Sequence, residues 1–343
     1  MNDQSMSSSK KVVISCDVMG GDFGPESILS AAHDVSKSFH DLEFVFVGDK
    51  KIIESFLSKN QSLSEISTYI VSEEYISTDE TVSKAIRKKN SSLYLAIEQV
   101  KKGKADAVIS SGHTGALMAL AKLILRPLKG VYRPAIAALM PHQHGQSVML
   151  DLGANVACDA EHLMQFALMG DAFAKVVLRK ERPKIGLLNV GAEEVKGHDE
   201  VKLAADMLRN PQLPIDFYGF IEGNDIARGT VDVIVTDGFT GNIALKTAEG
   251  IASLCSDFFK HALMGSRMAK IGAWFAAPSI KKTLKQIDPR KYNGAMFLGL
   301  SGVAVKSHGG ADKVAHANAI SLAYHLVKHQ INERIIEELS ANK

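Results

Sequence analysis

Lys306 and His308 close a short apolar run, VAVKSH, and are followed at once by GGAD. A cation and an imidazole next to paired glycines suit the holding of an anion and the delivery of a proton. Joins of the same kind recur along the chain. ISCDVMGGDFGPE carries Asp17, Gly20, Gly21 and Asp22, ISSGHTGA carries Ser111, Gly112, Thr114 and Gly115, and LDLGAN carries Gly153 and Asn155. LNVGAEEVKG supplies Asn189, Gly191, Glu193 and Lys196, and TDGFTGN supplies Asp237, Gly238, Gly241 and Asn242. Glycine lets backbone approach a ligand closely, and a following helix offers unpaired N–H groups to an anion. One such turn is most often only a connection. Six together point to a shared site rich in phosphate or oxyanion contacts.

Within that site Lys306, Lys196 and Arg133 are the candidate phosphate clamps, and Asn155, Asn189 and Asn242 the candidate side-chain donors to an oxyanion. Each asparagine has capping a helix or pinning a turn as an equal alternative. Asp17, Asp22 and Asp237 are expected to organise the turns, and Glu193 and Glu194 to position Lys196. No metal site is inferred from these acids, with Mg²⁺ a minor reading, and no cofactor is expected. The chain lacks a GxxxxGK[ST] loop, a GxGxxG turn, a GxSxG elbow and an HExxH helix. Cys16, Cys158 and Cys255 have neither CxxC nor metal-ligand spacing and read as structural thiols.

The turns need elements to hold them. Short β-rich runs (12–16, 43–47, 68–71, 107–109, 135–140, 148–150, 185–190, 216–221, 231–235 and 303–305) alternate with segments of helical spacing (26–39, 81–102, 114–125, 161–178, 199–209, 242–263 and 312–339). This alternation predicts parallel strands with crossover helices, apolar throughout because both faces are covered. The expected fold is a three-layer αβα unit with a mostly parallel sheet. Residues 1–10 read as a flexible tail and 11–343 as one two-lobed catalytic unit.

Composition agrees with an ordinary globular enzyme: 46% hydrophobic, 23% charged, net charge +2. No basic stripe interleaved with aromatics argues for nucleic acid. The odd, scattered cysteines suit a reducing cytoplasm. One local departure stands out. Between Asp257 and Asp288 no acid occurs, whereas Lys260, Arg267, Lys270, Lys281, Lys282 and Lys285 are interleaved with Phe258, Phe259, Trp274 and Phe275. Pro278 is expected to divide this stretch into two helices. The composition suits an interfacial hairpin, with Lys270, Trp274, Phe275, Lys281 and Lys282 meeting an anionic membrane surface or an acidic carrier protein; a dimer-interface or core helix is the alternative.

The segments CDVMGGDFGPE (16–26), SSGHTGALMALA (110–121), RPAIAALMP (133–141), MLDLGANVACDAEHLMQFALMG (149–170), LLNVGAEEVKGHD (187–199), DVIVTDGFTGNIALKTAEG (232–250) and GLSGVAVKSHGGAD (299–312) follow the order and spacing of the PlsX-type phosphate acyltransferases. The chain resembles that family from about Val12 to its last long helix. His113 departs from it, standing where the family commonly carries asparagine.

The resemblance implies a fold similar to isocitrate and isopropylmalate dehydrogenases and transfer of a long-chain acyl group from acyl-acyl carrier protein to inorganic phosphate. The acyl phosphate would serve phospholipid synthesis. It also implies a homodimer, peripheral membrane association and contact with the membrane glycerol-phosphate acyltransferase. Phosphate is then the nucleophile, so Asn242, Lys306, His308, Asp237 and Lys196 would act by positioning, oxyanion stabilisation and proton delivery to the leaving thiol. Open alternatives are an acyl-CoA-dependent phosphate acetyl- or butyryltransferase, a decarboxylating NAD(P)-dependent dehydrogenase of similar fold, and a non-enzymatic membrane scaffold.

Overall fold

The computed structural model describes residues 10–286 and 294–340, with side chains undescribed from 280 to 286. The Lys281, Lys282 and Lys285 side chains and most of the expected tail therefore lie outside the described residues. Among the described residues eleven strands form one sheet: β1 (Val12–Asp17), β2 (Leu42–Gly48), β3 (Ser67–Val71), β4 (Ala107–Ser110), β5 (Ala135–His142), β6 (Gly145–Leu150), β7 (Lys184–Leu188), β8 (Asp216–Ile221), β9 (Val233–Val235), β10 (Ala295–Leu298) and β11 (Val303–Lys306). Helices are α1 (Pro25–Ser36), α2 (Lys50–Leu57), α3 (Gln61–Ser64), α4 (Val82–Ala85), α5 (Ser92–Lys101), α6 (Thr114–Leu125), α7 (Ala160–Val177), α8 (Asp199–Leu208), α9 (Gly223–Arg228), α10 (Gly238–Met264), α11 (Arg267–Gln286), α12 (Lys313–Lys328) and α13 (Ile331–Ser340).

The spatial order is β3-β2-β1-β4-β11-β10-β5-β6-β9-β7-β8. Pairing is parallel from β3 to β11 and again from β6 to β8. Antiparallel pairs β11–β10, β10–β5 and β5–β6 join these two blocks, which consequently run in opposite directions. The chain reaches the sheet centre last, since β11 lies between β4 and β10.

Alternation along the strands builds the layers. Val303 and Val305 belong to one core cluster with Ile28 of α1, Phe166 of α7 and Ile320 of α12, whereas Ala304 faces a second cluster with Ile97 of α5 and Leu117 of α6. Both faces are dry, which explains why these runs lack the polar alternation of a half-exposed sheet. Several helices start on a side-chain cap that accepts the N3 amide: Asp49, Ser91, His113, Asp159, Asp237 and Asp312.

Some expected boundaries move. The pattern over 81–102 divides into α4 and α5, because residues 86–91 turn back under bonds from the Ser72 and Ser91 hydroxyls. The pattern over 312–339 breaks at His329 and Gln330, the latter at φ 52°. The strand expected to run to Val190 stops at Leu188 and leaves Asn189 in a turn. Pro278 lies inside α11, and the hairpin turns instead at Gly265 and Ser266. A proline costs a helix one internal bond and a clash without always ending it. Strand β10 and helix α2 carry too few residues for their periodicity to announce them.

Candidate active site

The register of three neighbouring strands assembles the first half of the site. Ser110 of β4 is level with Asp17 of β1 on one side and Lys306 of β11 on the other. Ser110 Oγ donates to Asp17 Oδ2 at 2.7 Å, and the Gly112 amide donates to Ser110 Oγ at 3.1 Å. Lys306 Nζ donates to the carbonyl of Ser111 at 3.3 Å and to that of Ser307. Both charged groups are buried. Burial pushes the Asp17 carboxyl up, opposed by hydrogen bonds from Ser110, Ser92 and the Met19 amide and by the charge of Lys306. Burial likewise lowers the Lys306 ammonium to about 8, opposed by Asp17 and Asp22 and reinforced by Lys246 of α10.

Glycine is required where the turns meet. A Cβ on Gly20 would stand 2.5 Å from the Gly112 amide nitrogen, closer than real Cβ contacts allow, and Gly21 has φ 94°. Ser111 Oγ donates to the Gly20 carbonyl at 2.8 Å, and the Asp22 amide to the Gly309 carbonyl at 2.8 Å. The three loops after β1, β4 and β11 thereby form one floor. His308 is exposed on it, and its Nδ1 accepts from the Gly310 amide at 3.0 Å. That bond leaves Nε2 as the protonated nitrogen of the neutral ring, facing away from its own turn. His113 Nδ1 accepts from the Ala116 amide at 3.1 Å and caps α6, with Thr114 exposed and Gly115 behind it. Asparagine, the residue common in the family, is itself a favoured cap; the departure keeps the function of the position.

A second cluster forms where β6 and β9 end. Its hub is Asp151, which did not stand out in the sequence as a site residue. The buried Asp151 carboxylate accepts from the amides of Ile136 (2.9 Å), Gly153 (3.2 Å), Ala154 (3.0 Å) and Asn155 (2.7 Å) and from Asn155 Nδ2 (2.9 Å). Its carboxyl is pushed up by burial and held down by those bonds. The strand-end acid followed by LGAN was the available signal: successive amides converging on one anion. Asn155 Nδ2 also donates to the Pro134 carbonyl at 2.8 Å, so this amide ties the turn together. Asp237 caps α10 by accepting from the Thr240 amide and hydroxyl. Gly238 and Gly241 pack against Asp151 with no space for a Cβ. Asn242 is more accessible, and its Nδ2 donates to the Leu152 carbonyl at 3.2 Å, next to Gly153. Arg133 is exposed and spans to the Ala157 carbonyl at 3.4 Å.

Helices α6 and α10 link the two clusters. Helix α6 starts at the first and sends Met118 and Lys122 to a slot shared with Pro134, Ala154 and Asn155 of the second. Helix α10 starts at the second and carries Lys246 into the electrostatic range of Lys306. The turn after β7 neighbours the second cluster, since β7 pairs with β9, but its strand is five spacings from β11, on the order of 24 Å along the sheet. There Lys196 pairs with Glu193 at 2.7 Å and packs beside Gly191, and its backbone carbonyl accepts from Asn189 Nδ2 at 3.1 Å. Glu194 does not position Lys196 as expected; it makes a two-pronged pair with Arg209 at 2.6 and 2.8 Å.

The cysteines lie close to this chemistry without the character of nucleophiles. Burial pushes both the Cys16 thiol and the Cys158 thiol up, the latter to about 12, and Cys255 is exposed on α10. What the arrangement can do is hold an anion against a buried cation, under a set of backbone amides, with an imidazole at the rim.

Residues 12–334 match a family model described as "Fatty acid synthesis protein". A curated protein of Paramagnetospirillum magneticum named "Phosphate acyltransferase" is 49% identical over 98% of this chain and 96% of its own length. One of the same name from Rhodospirillum centenum is 50% identical over 97% of this chain and 94% of its own. Among solved structures, a phosphotransacetylase from Streptococcus pyogenes superimposes with TM-score 0.62 at 17% identity, covering 93% of this chain and 95% of that one. At that identity the likeness concerns the fold.

Proposed function

The chain belongs to the fatty acid synthesis protein family and is an acyltransferase that uses phosphate, and on that premise we propose that its donor is a long-chain acyl thioester of acyl carrier protein and its product acyl phosphate. The observation that carries this reading is the buried Lys306 beside Asp17 under the glycine turns. A buried ammonium with a lowered proton affinity is costly unless an anion arrives to match it. Phosphate is such an anion.

In the proposed reaction a phosphate oxygen attacks the thioester carbonyl, the new C–O bond forms and the C–S bond breaks. The proton carried by the attacking hydrogen phosphate balances the thiolate that departs, so the thiol leaves neutral and acyl phosphate leaves as its dianion. Lys306 and the amides of the Gly20 and Gly112 turns hold the nucleophile. In this reading Asn242 supplies a donor to the tetrahedral oxyanion, a contribution of about 3–4 kcal/mol when well aimed. The proton passes from the attacking hydrogen phosphate to the departing sulfur, and His308, its Nδ1 held by the Gly310 amide, supports that transfer with a hydrogen bond from Nε2. No protein nucleophile is needed, in keeping with the raised Cys16 and Cys158 thiols.

No helix among the described residues is long and apolar enough to cross a membrane. The hairpin of α10 and α11 nevertheless carries Phe258, Phe259, Trp274 and Phe275 exposed, with Trp274 at 73%, together with Lys260, Arg267 and Lys270. We read it as the surface that meets an anionic membrane, where charge and apolar area act together. Homodimerisation and contact with the membrane glycerol-phosphate acyltransferase form part of the same proposal, on the strength of the family resemblance.

The deciding experiment incubates the purified protein with palmitoyl-acyl carrier protein and labelled phosphate and follows acyl phosphate. Formation of labelled acyl phosphate supports the reading. Turnover of short acyl-CoA alone would reassign the enzyme to the phosphotransacetylase class.

A further inference from the structure

From Thr81 to Ile97 the chain contains no acid, yet Lys84, Arg87, Lys88 and Lys89 fall within six residues of one another. Lys88 is spent internally, on Glu80 at 2.8 Å and on the Tyr75 carbonyl at 3.2 Å. Lys84, Arg87 and Lys89 are exposed and make no ion pair among the described residues. The backbone beneath them is fixed. Ser72 Oγ donates to the carbonyls of Glu74 and Asn90, Ser91 Oγ donates to that of Lys88, and the Ser92 amide donates to that of Glu74. The three charges are therefore presented by a held loop.

Its position is the informative part. Val82 packs on Gly115 in the first turn of α6, and Tyr75 and Ile76 line a closed crevice with Gly20, Gly112, His113 and Asp17. The basic loop is thus packed on the turn that caps α6, next to the floor that holds the buried Asp17. We propose that Lys84, Arg87 and Lys89 form the docking surface for the acidic acyl carrier protein; this rests on the carrier-bound donor proposed above. Three exposed cations beside that floor steer and orient an acidic protein by complementary potential. A membrane is the poorer match. From Val82 to Ser91 the loop exposes a single large apolar side chain, Val82, because Ala85 is buried and Ile86 half-buried. Insertion into lipid needs apolar area, which the α10–α11 hairpin supplies with exposed aromatic rings and this loop, with one valine, does not.

The test is made on the full chain carrying K84E, R87E and K89E together, with thermal unfolding as the check of fold. Fluorescently labelled acyl carrier protein is titrated against wild type and variant. The Kd of the variant is expected to rise by at least about tenfold, and KM for the acylated carrier with it, while KM for phosphate stays where it was. Added salt should weaken wild-type binding and have little effect on the variant. An unchanged carrier Kd overturns the proposal. So does loss of binding to phosphatidylglycerol vesicles with carrier affinity intact, which would assign the loop to lipid. If the triple variant does not fold, K84Q and K89Q singly must each raise the carrier Kd, and failure to do so is equally fatal. A wild-type protein that binds carrier yet forms no acyl phosphate would sink the proposed reaction and leave this surface standing.

Discussion

Asp17 and Lys306 stand level on either side of Ser110, on three neighbouring parallel strands whose carboxyl ends open together. Two opposite charges buried at one level make the proposed anion site a property of strand register. A single-residue slip of β11 would turn the Lys306 side chain to the other face.

The first prediction concerns Lys306 and pH. Its folded value near 8 lies below the ordinary value of 10.5. For a base shifted downward, the cost of burying the cation is fully present below pH 8 and is relieved as pH rises from about 8 to 10.5, so this group lets stability rise there. Phosphate capture should move the opposite way, kcat/KM for phosphate falling above about pH 8 as the ammonium is lost. Lys306→Met should remove nearly all turnover while leaving the protein at least as stable at pH 7. An unaltered alkaline limb in that variant would remove Lys306 from the site.

At His113 the expected outcome depends on the replacement. Asparagine should preserve both activity and unfolding temperature, because it can accept the Ala116 amide in place of the imidazole. Alanine should cost about 1 kcal/mol, the usual loss of a helix cap. Urea unfolding of both variants separates a capping role from a catalytic one.

Lys175 holds the last helix to the body. Its Nζ is 2.6 Å from Asp171 of the same helix, α7, and 2.6 Å from Glu338 of α13. Burial already raises the Asp171 carboxyl. Lys175→Met would leave two acids facing one another with no cation, and a loss of about 3 kcal/mol is expected. Lowering the pH should restore part of it by protonating Asp171, measurable as a narrowing gap between the two melting temperatures.

Replacing all three cysteines with alanine should leave turnover nearly intact. Alkylation of the native protein should modify Cys255 and spare the buried Cys16. Recovery of an acyl group on Cys158 after a rapid quench would contradict the direct attack by phosphate.

Trp274→Ser with Phe275→Ser should weaken attachment to anionic vesicles, by about 2 kcal/mol for each ring that inserts. Turnover of carrier-bound substrate in solution should change little. Dissociation into monomers, read by light scattering, would instead make the hairpin a subunit contact.

The glycine-rich joins were visible in the sequence because glycine and strand-end position are local properties, and so was the alternation that builds the layers. The meeting of Asp17, Ser110 and Lys306 was not, since β1, β4 and β11 come together from sequence positions up to nearly 290 apart. Ser110 passed as an ordinary strand-end residue because its partner Asp17 comes from another strand, whereas Asp151 was overlooked although the amides of the LGAN turn that converge on it follow it directly. The turn carrying Lys196 has the same local signature as the others, yet lies toward the far edge of the sheet. The antiparallel pairs around β5 and β10 were also hidden, as four apolar residues at 295–298 do not declare a direction.

The place of β11 in the sheet sets an order for biosynthesis. A ribosome that has released residues 10–286 has delivered eleven of the thirteen helices found among the described residues, but neither β10 nor β11, through which the rest of the sheet reaches β4. Until residues 303–306 emerge, β4 has an open edge and the Asp17 carboxyl has no buried cation beside it. The floor built on β1, β4 and β11 is thus completed only near the end of translation, and a chain cut short before Lys306 has an unpaired central strand, the kind of exposed edge on which nascent proteins aggregate and chaperones act.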